Sequence, residues 1–289
     1  MNNVKGIILA GGNGTRLYPL TKTISKQLLP VFDKPMIYYS LSILMLSKIK
    51  EVNIITSKDF ISLYKKLLGD GEQLGMKFNY IIQEKPRGIA ESLILSKKNI
   101  GSSDLCLILG DNIFYGNNLT LLLNEAKKSN KSCIFTYRVS NPQDYGVIKK
   151  KNNKIIDIIE KPKKFIGNQA VTGLYYYKNY AINIAEKLKP SNRGELEITD
   201  LNKILIKNKK IKELQLNRGN AWMDAGTFQS YLDASNMISV IQKRQNINIG
   251  CIEEIAYRNN WISKKILLKL LNKYPDNEYK KYIKSVLYD

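Results

Sequence analysis

Apolar residues gather in short unbroken runs through the first third of the chain, and longer stretches between the runs place apolar positions at helical spacing. The runs Val4 to Ala10, Glu51 to Thr56, Phe78 to Gln83 and Asp104 to Leu109 are strand-like, the first of them read as a buried strand. Strands separated by helix-length segments predict right-handed βαβ units and a mostly parallel sheet flanked by helices, an α/β fold. The segment Pro35 to Ser47 is apolar nearly all round. It predicts a helix buried on more than one side, with a subunit interface as a candidate for the second cover.

From Ser132 the pattern changes. The runs SCIFTYRV and VTGLYYY predict strands flanking a hairpin, Gly146 to Glu160, that turns at Lys151-Asn152-Asn153-Lys154. Helical spacing then covers Tyr180 to Leu188, Glu197 to Lys207 and Thr227 to Gln245, and short amphipathic helices such as Ile262 to Leu271 follow. No linker, repeat or low-complexity stretch interrupts this order, so residues 1–289 read as one domain: a core, a β insertion and a helical C-terminal tail.

Composition narrows the chemistry. The chain contains no histidine, which excludes imidazole bases, His-dependent triads and His-ligated metals. Carboxylates, lysine, arginine and backbone amides remain, a set suited to phosphoryl or nucleotidyl transfer assisted by a hard, oxygen-bound cation. Cys106, Cys133 and Cys251 are scattered without metal-ligand spacing or a disulfide framework, which agrees with packing roles in a reducing compartment. No apolar stretch approaches the roughly 20 residues of a membrane span, and a secretory h-region is absent from the first residues, so a cytoplasmic location without membrane contact is expected. The net charge of +21 invites a nucleic-acid reading. Its lysines, however, are dispersed and lack interleaved aromatics, as in Lys149-Lys150-Lys151, and they read as solvated faces with no nucleic-acid partner.

Candidate chemistry begins where the first strand runs into Gly11-Gly12-Asn13-Gly14-Thr15-Arg16. A buried strand that ends in glycines delivers bare backbone amides to a phosphate, with Arg16 as a cation beside them. Gly14 is followed by Thr15-Arg16 rather than Lys-Ser/Thr, so this is no Walker A loop, and Leu17 stands where a dinucleotide fingerprint needs its third glycine. Taken alone, a plain tight turn explains the loop equally well. Lys26, in Ser25-Lys26-Gln27-Leu28-Leu29-Pro30, supplies a second cation nearby.

The run Leu105 to Leu109 ends in Gly110-Asp111-Asn112, at the sheet edge where open α/β sheets bind ligands, although Asp111 taken in isolation reads more readily as the N-cap of a following helix. Asp224, in Ala221-Trp222-Met223-Asp224-Ala225-Gly226-Thr227, ends another apolar run, and two such acids converging on a triphosphate would hold Mg²⁺. Asp144-Tyr145-Gly146-Val147 and Glu160-Lys161-Pro162 flank the hairpin. The second pairs an acceptor for sugar hydroxyls with a cation for a phosphate, but on spacing alone the Glu-Lys pair reads as surface decoration. Asn192 to Asp200 is dense in charge, and Thr199 or Asp200 serves a helix terminus as readily as a ligand.

In order and wording, GIILAGGNGTRLYPLT, SKQLLPVFDKPMIYYSLSILML, LILGDNIFYG, DYGVI, EKP, VTGLYYY, RGELEITD, RGNAWMDAGT and CIEEIAYR resemble the glucose-1-phosphate thymidylyltransferases, or dTDP-glucose pyrophosphorylases, over essentially the whole chain. The tail after Glu253 is similar to that of the short homotetrameric form. The resemblance implies a nucleotidyltransferase fold with residues 1–131 mainly nucleotide-binding, 132–226 mainly on the sugar-phosphate side, and 227–289 carrying a regulatory site and subunit contacts. It places Gly11, Gly12, Gly14, Thr15 and Arg16 at the dTTP phosphates, Lys26 as the cation that steadies them, Gln83 and Gly88 at the base, and Asp111 and Asp224 at Mg²⁺. Asn112, Tyr145, Gly146, Glu160 and Val171 fall at the glucosyl unit, Lys161 and Arg193 at its phosphate, and Arg16, Lys26 and Lys161 are the implied catalytic cations. Cys251, Glu254 and Arg258 fall at a second nucleotide site, where a dTDP-sugar would act as feedback inhibitor. The chain departs from the family at Ser40, often Pro, at Glu91, often Gln, and at Met223-Asp224-Ala225-Gly226, often Leu-Asp-Thr-Gly; Glu91 bears on nucleotide selectivity.

Overall fold

The computed structural model describes residues 3–12 and 14–288; Asn13, inside the glycine loop, lies outside the described residues. A nine-stranded sheet carries the fold. Asp104–Leu109, Val4–Leu9, Glu51–Thr56 and Lys77–Ile82 lie side by side and parallel. These are the apolar runs read from sequence; Val4–Leu9, Glu51–Thr56 and Asp104–Leu109 are covered on both faces, whereas Lys77–Ile82, at the sheet edge, is only partly buried and leaves Ile82 exposed. Ile7 and Ile8, adjacent in sequence and fully buried, belong to different core clusters because successive strand side chains point to opposite faces.

Gln169–Tyr177 joins this parallel half to an antiparallel one. Leu174 to Tyr177 pair with Asp104–Leu109, Ala170 pairs with Val147 of the hairpin Gly146–Lys151/Lys154–Glu160, and the other edge takes Ser132–Arg138. Ile211–Gln215 then adds in parallel to Ser132–Arg138. A separate antiparallel ribbon, Asn112–Gly116 with Asn220–Asp224, stands beside the sheet.

The all-round apolar segment forms the helix Ile37–Leu46. Its second cover comes from the chain's own tail rather than from a subunit interface: Ile37, Leu41 and Leu44 share a core cluster with Ile252 and Ala256 of the helix Ile252–Arg258. A local apolar pattern demands burial without saying which distant segment supplies it. Buried Glu253 fastens that tail, its carboxylate accepting from Tyr274 OH at 2.7 Å and Tyr279 OH at 2.6 Å. Thr227 caps the long helix Phe228–Gln245 with Ser230 in a reciprocal capping box, and Ser263 caps Lys264–Leu271. Cys106, Cys133 and Cys251 are all buried free thiols. No helix among the described residues is long and apolar enough to cross a membrane.

Candidate active site

Gly11, Gln83 and Asp111 each follow the last residues of a parallel strand, so all three reach the same edge of the sheet. Three cavities open there. One of about 260 Å³ surrounds the glycine loop and is lined by Gly14, Thr15, Arg16, Lys26 and Asp111. A second, of about 290 Å³, lies against Gln83, Gly88 and Arg193. The third, of about 230 Å³, is walled by Asn112, Tyr145, Gly146, Val171 and Asp224. Gly11 and Gly12 line the first two, Arg16 and Asp111 the first and third, and Glu160 and Lys161 the second and third. Shared walls make them one cleft, with Lys161 where its two outer lobes meet.

Strand pairing brings the two acids together. The ribbon register sets Asp224 opposite Asn112, next to Asp111, and the Ala225 N–H donates to Asp111 O at 3.1 Å. Asp111 is therefore a junction between two strands and not the N-cap of a helix. Burial alone would lift its carboxyl. The Lys26 ammonium at 2.6 Å from Oδ2, with Asn112 Nδ2 donating to Oδ1 at 2.8 Å, outweighs burial and holds it below the ordinary carboxylate value. Asp224 is shifted the opposite way: burial and then the Asp111 charge raise it, against the Tyr145 hydroxyl that donates to its Oδ1 at 3.1 Å. Burial and the Asp224 charge push Tyr145 itself up to about 12, so the phenol stays a donor. Two mutually repelling, half-buried carboxylates beside a phosphate-sized cavity are a hard oxygen donor set that suits Mg²⁺ with phosphate oxygens completing its shell.

The Asn112 side chain is committed to the protein. Its Oδ1 accepts from Trp222 Nε1 at 2.6 Å and from Gly173 N at 2.9 Å, which ties both strands of the ribbon to the sheet and aims Nδ2 at Asp111. The Trp222 ring in turn meets Tyr145 edge-on, with centroids 5.2 Å apart. Glu160 faces Gly146, where a Cβ would lie 3.0 Å from its Oε2, and accepts from Thr199 Oγ1 at 2.7 Å. Thr199 thus sits inside the helix Ile198–Lys207 with its hydroxyl turned to the cleft instead of capping the helix. Arg193 is exposed and donates to Glu197 at 2.9 Å. Lys161 holds φ 44°, a conformation uncommon outside glycine, while its N–H donates to Tyr145 O. Gly88 cannot be replaced without movement, because at φ 99° an added Cβ would lie 2.5 Å from the Leu196 carbonyl oxygen.

Two residues support the site in roles the sequence reading does not assign, although Ser40 stands there as a departure from the family pattern. Fully buried Ser40 has its hydroxyl 3.0 Å from Leu109 O and 3.1 Å from Asn112 O, bracketing the Asp111 turn from the helix below. Buried Gln27 donates to Gly11 O at 3.4 Å and packs on Gly110, linking the glycine loop to that same turn. Neither carries a local signal, since both act through segments distant in sequence.

Glu254 and Arg258 lie elsewhere, on a cavity of about 320 Å³ walled also by Phe114, Tyr115 and Tyr282. Glu254 accepts from Arg258 Nε at 2.8 Å and from Tyr282 OH at 2.6 Å. Cys251 is beside this cavity in sequence but packs in the core, 1% exposed.

The profile of the nucleotidyl transferase family matches residues 5–240. The chain is 45% identical over 286 residues to the glucose-1-phosphate thymidylyltransferase of Neisseria meningitidis serogroup A, covering 98% of this chain and 99% of that one. It is 47% identical over 288 residues to that of Xanthomonas campestris pv. campestris, covering 99% and 98%. Among solved structures, a Bacillus anthracis protein in complex with sucrose superposes with a TM-score of 0.75 at 39% identity, over 81% of this chain and 94% of that one. A UDP-glucose pyrophosphorylase complexed with UDP-glucose superposes with a TM-score of 0.73 at 26% identity, over 84% and 100%.

Proposed function

Because the chain belongs to the nucleotidyl transferase family and shares nearly its full length with glucose-1-phosphate thymidylyltransferases, we propose that it transfers a thymidylyl group from dTTP to α-D-glucose 1-phosphate, releasing pyrophosphate and dTDP-glucose. The observation that carries this reading is the single cleft in which Arg16, Lys26, Asp111 and Asp224 lie between a lobe at Gln83 and a lobe at Tyr145 and Glu160. That layout suits a triphosphate at the centre, its base on one side and a hexose phosphate on the other.

The attacking sugar-phosphate oxygen is already anionic at neutral pH, so the reaction needs no general base, and a chain without histidine lacks nothing it requires. What remains is to hold two polyanions in line and to absorb charge as pyrophosphate leaves. The amides of Gly11, Gly12 and Gly14 and the Arg16 guanidinium take the β- and γ-phosphates. Lys26 neutralises Asp111 and adds positive charge at the α-phosphate. Tyr145, Glu160 and Thr199 orient the hexose, and Lys161 draws its phosphate toward the α-phosphorus from the junction of the lobes. Mg²⁺, held by Asp111 and Asp224, would supply charge compensation to the triphosphate when bound. A purified protein that releases pyrophosphate from dTTP only when glucose 1-phosphate is present bears this out; absence of such turnover overturns it.

Lys161→Ala is expected to raise the KM for glucose 1-phosphate about tenfold or more with little change in the KM for dTTP, because one substrate alone loses a charged contact. Steady-state kinetics varying each substrate in turn make the comparison, and wild-type constants would return Lys161 to a surface role.

We further propose a cytoplasmic homotetramer feeding dTDP-deoxysugar synthesis, with a dTDP-sugar held as inhibitor in the cavity of Glu254, Arg258 and Tyr282. The apolar wall of Phe114 and Tyr115 suits a base and Arg258 a phosphate. dTDP-rhamnose is expected to inhibit without simple competition against dTTP, and Arg258→Ala to weaken that inhibition. Purely competitive inhibition that survives the substitution would remove the second site.

A further inference from the structure

Tyr64, on the helix Ile61–Leu68, is fully buried, and its hydroxyl lies 2.7 Å from Ser25 Oγ. Ser25 opens the short helical turn Lys26–Leu28, yet its hydroxyl does not cap that turn; it donates instead to Gln27 Oε1 at 2.8 Å. All three side chains are nearly or fully shut off from water, so each proton in the group needs an acceptor. Gly11 O can only accept, and the Gln27 nitrogen that faces it at 3.4 Å therefore fixes the sense of the amide, with Oε1 turned back to Ser25. Ser25 has a single proton and spends it on Oε1. Tyr64 is left as the donor at the 2.7 Å contact, since the other acceptors within its reach, Gln27 Oε1 at 3.4 Å and Ala10 O at 3.5 Å, are farther away. Burial raises the phenol above its ordinary value, which keeps the proton in place at neutral pH.

The bonds thus run one way, from Tyr64 to Ser25 to Gln27, and they end at the cleft. Gln27 lines the glycine-loop cavity with Arg16, Lys26 and Asp111, and one of its two Nε2 protons has no acceptor among the described residues. A reversed amide would set Oε1 against Gly11 O, acceptor against acceptor, and would offer an anion no donor. Lys26 precedes Gln27 in the same turn and carries the ammonium 2.6 Å from Asp111, so the relay anchors a cation and a neutral donor together. The turn cannot hold them unaided, being three residues long and without a side-chain cap.

We propose that Tyr64 is a positioning residue for the triphosphate: acting through Ser25, its hydroxyl holds Gln27 with Nε2 toward the glycine-loop cavity, where the free proton meets a phosphate oxygen. Tyr64 does not line that cavity, and its influence on the substrate passes through the two side chains it orders.

This rests on the nucleotidyl-transfer reading above, and the experiment keeps the two apart. With full-length protein, dTTP binding by calorimetry and the KM values of dTTP and glucose 1-phosphate are measured in wild type, Tyr64→Phe, Ser25→Ala, Gln27→Ala and the doubles of the first two with Gln27→Ala. Phenylalanine keeps the ring in the core and removes only the hydroxyl. Tyr64→Phe and Ser25→Ala are each expected to raise the Kd and KM of dTTP about three- to tenfold, the worth of one neutral hydrogen bond, with the KM of glucose 1-phosphate unchanged. In the Gln27→Ala background each is expected to add nothing, because the residue it acts through is gone. A merely structural loss would appear equally in both backgrounds, or as a lower melting temperature with wild-type dTTP constants, and either result overturns the proposal. If Tyr64→Phe does not fold, Ser25→Ala and its double carry the same cycle. Wild-type protein that neither binds nor turns over dTTP overturns the nucleotide reading itself and this inference with it.

Discussion

Asp111→Asn and Asp224→Asn are each expected to lower kcat by about two orders of magnitude or more, with dTTP still able to bind in the glycine-loop cavity. Asparagine keeps the shape of each side chain and removes the charge that offsets departing pyrophosphate. Because the ribbon register sets the two acids against one centre, the double substitution is expected to lose far less than the product of the single losses. Calorimetric titration of Mg²⁺ into protein saturated with dTTP gives a second readout, in which either single change weakens the metal and the second adds little. Near-wild-type turnover in one variant, or fully multiplicative losses in the double, would argue against a shared ion.

Thermal stability at pH 7 is expected to move in opposite directions in the same two variants. The folded state depresses the Asp111 carboxyl, so its contribution to stability is present above the unfolded value near 4 and is lost as pH falls through the folded value. Replacing it with Asn leaves the Lys26 ammonium, 7% exposed, without its anion. A cost of about 1–3 kcal/mol follows, less than for a fully buried pair because the Asp111 side chain keeps 22% exposure. Asp224 has the reverse sign. Its folded value is raised by burial and by Asp111, so its ionised form costs stability at neutral pH, and the cost is relieved as pH falls through that raised value. Asp224→Asn should therefore melt at or above the wild-type temperature, with the difference shrinking toward pH 4, whereas Asp111→Asn should melt below it. Calorimetric melts from pH 4 to 8 in metal-free buffer decide the matter. A destabilised Asp224→Asn would mean that its hydrogen bond from Tyr145 outweighs the repulsion.

A site that trades stability for charge is legible only in part from sequence. The glycine loop, the acid after Leu109 and the acid after Met223 all stand at breaks in apolar runs, and those breaks are local facts. That Gly11, Gln83 and Asp111 share an edge also follows from local information, because consecutive parallel strands in a βαβ series point their carboxyl ends the same way. The Thr199 hydroxyl reads from sequence as a candidate cap. It becomes a partner of Glu160 because the hairpin folds over the helix Ile198–Lys207, a packing that no spacing within either segment encodes. Ser40 and Gln27 show the same limit, each acting on a turn that belongs to another strand.

By itself the sequence determined the elements: four strands from continuous apolar runs, a hairpin from its polar turn, helices from their period, and a histidine-free chemistry from composition. Those properties depend on how single segments meet water, and burial leaves its mark at every position along a segment. The tertiary structure alone decided three matters: the pairing of Asn112–Gly116 with Asn220–Asp224, the folding of the tail onto Ile37–Leu46, and the sense of the Gln27 amide. Each joins partners whose separation in sequence carries no periodic signal, and each is settled by strand register, by a shared apolar core or by the one-way chemistry of a hydrogen bond. The same contacts bring Asp111 beside Asp224 and turn scattered strand ends into one cleft.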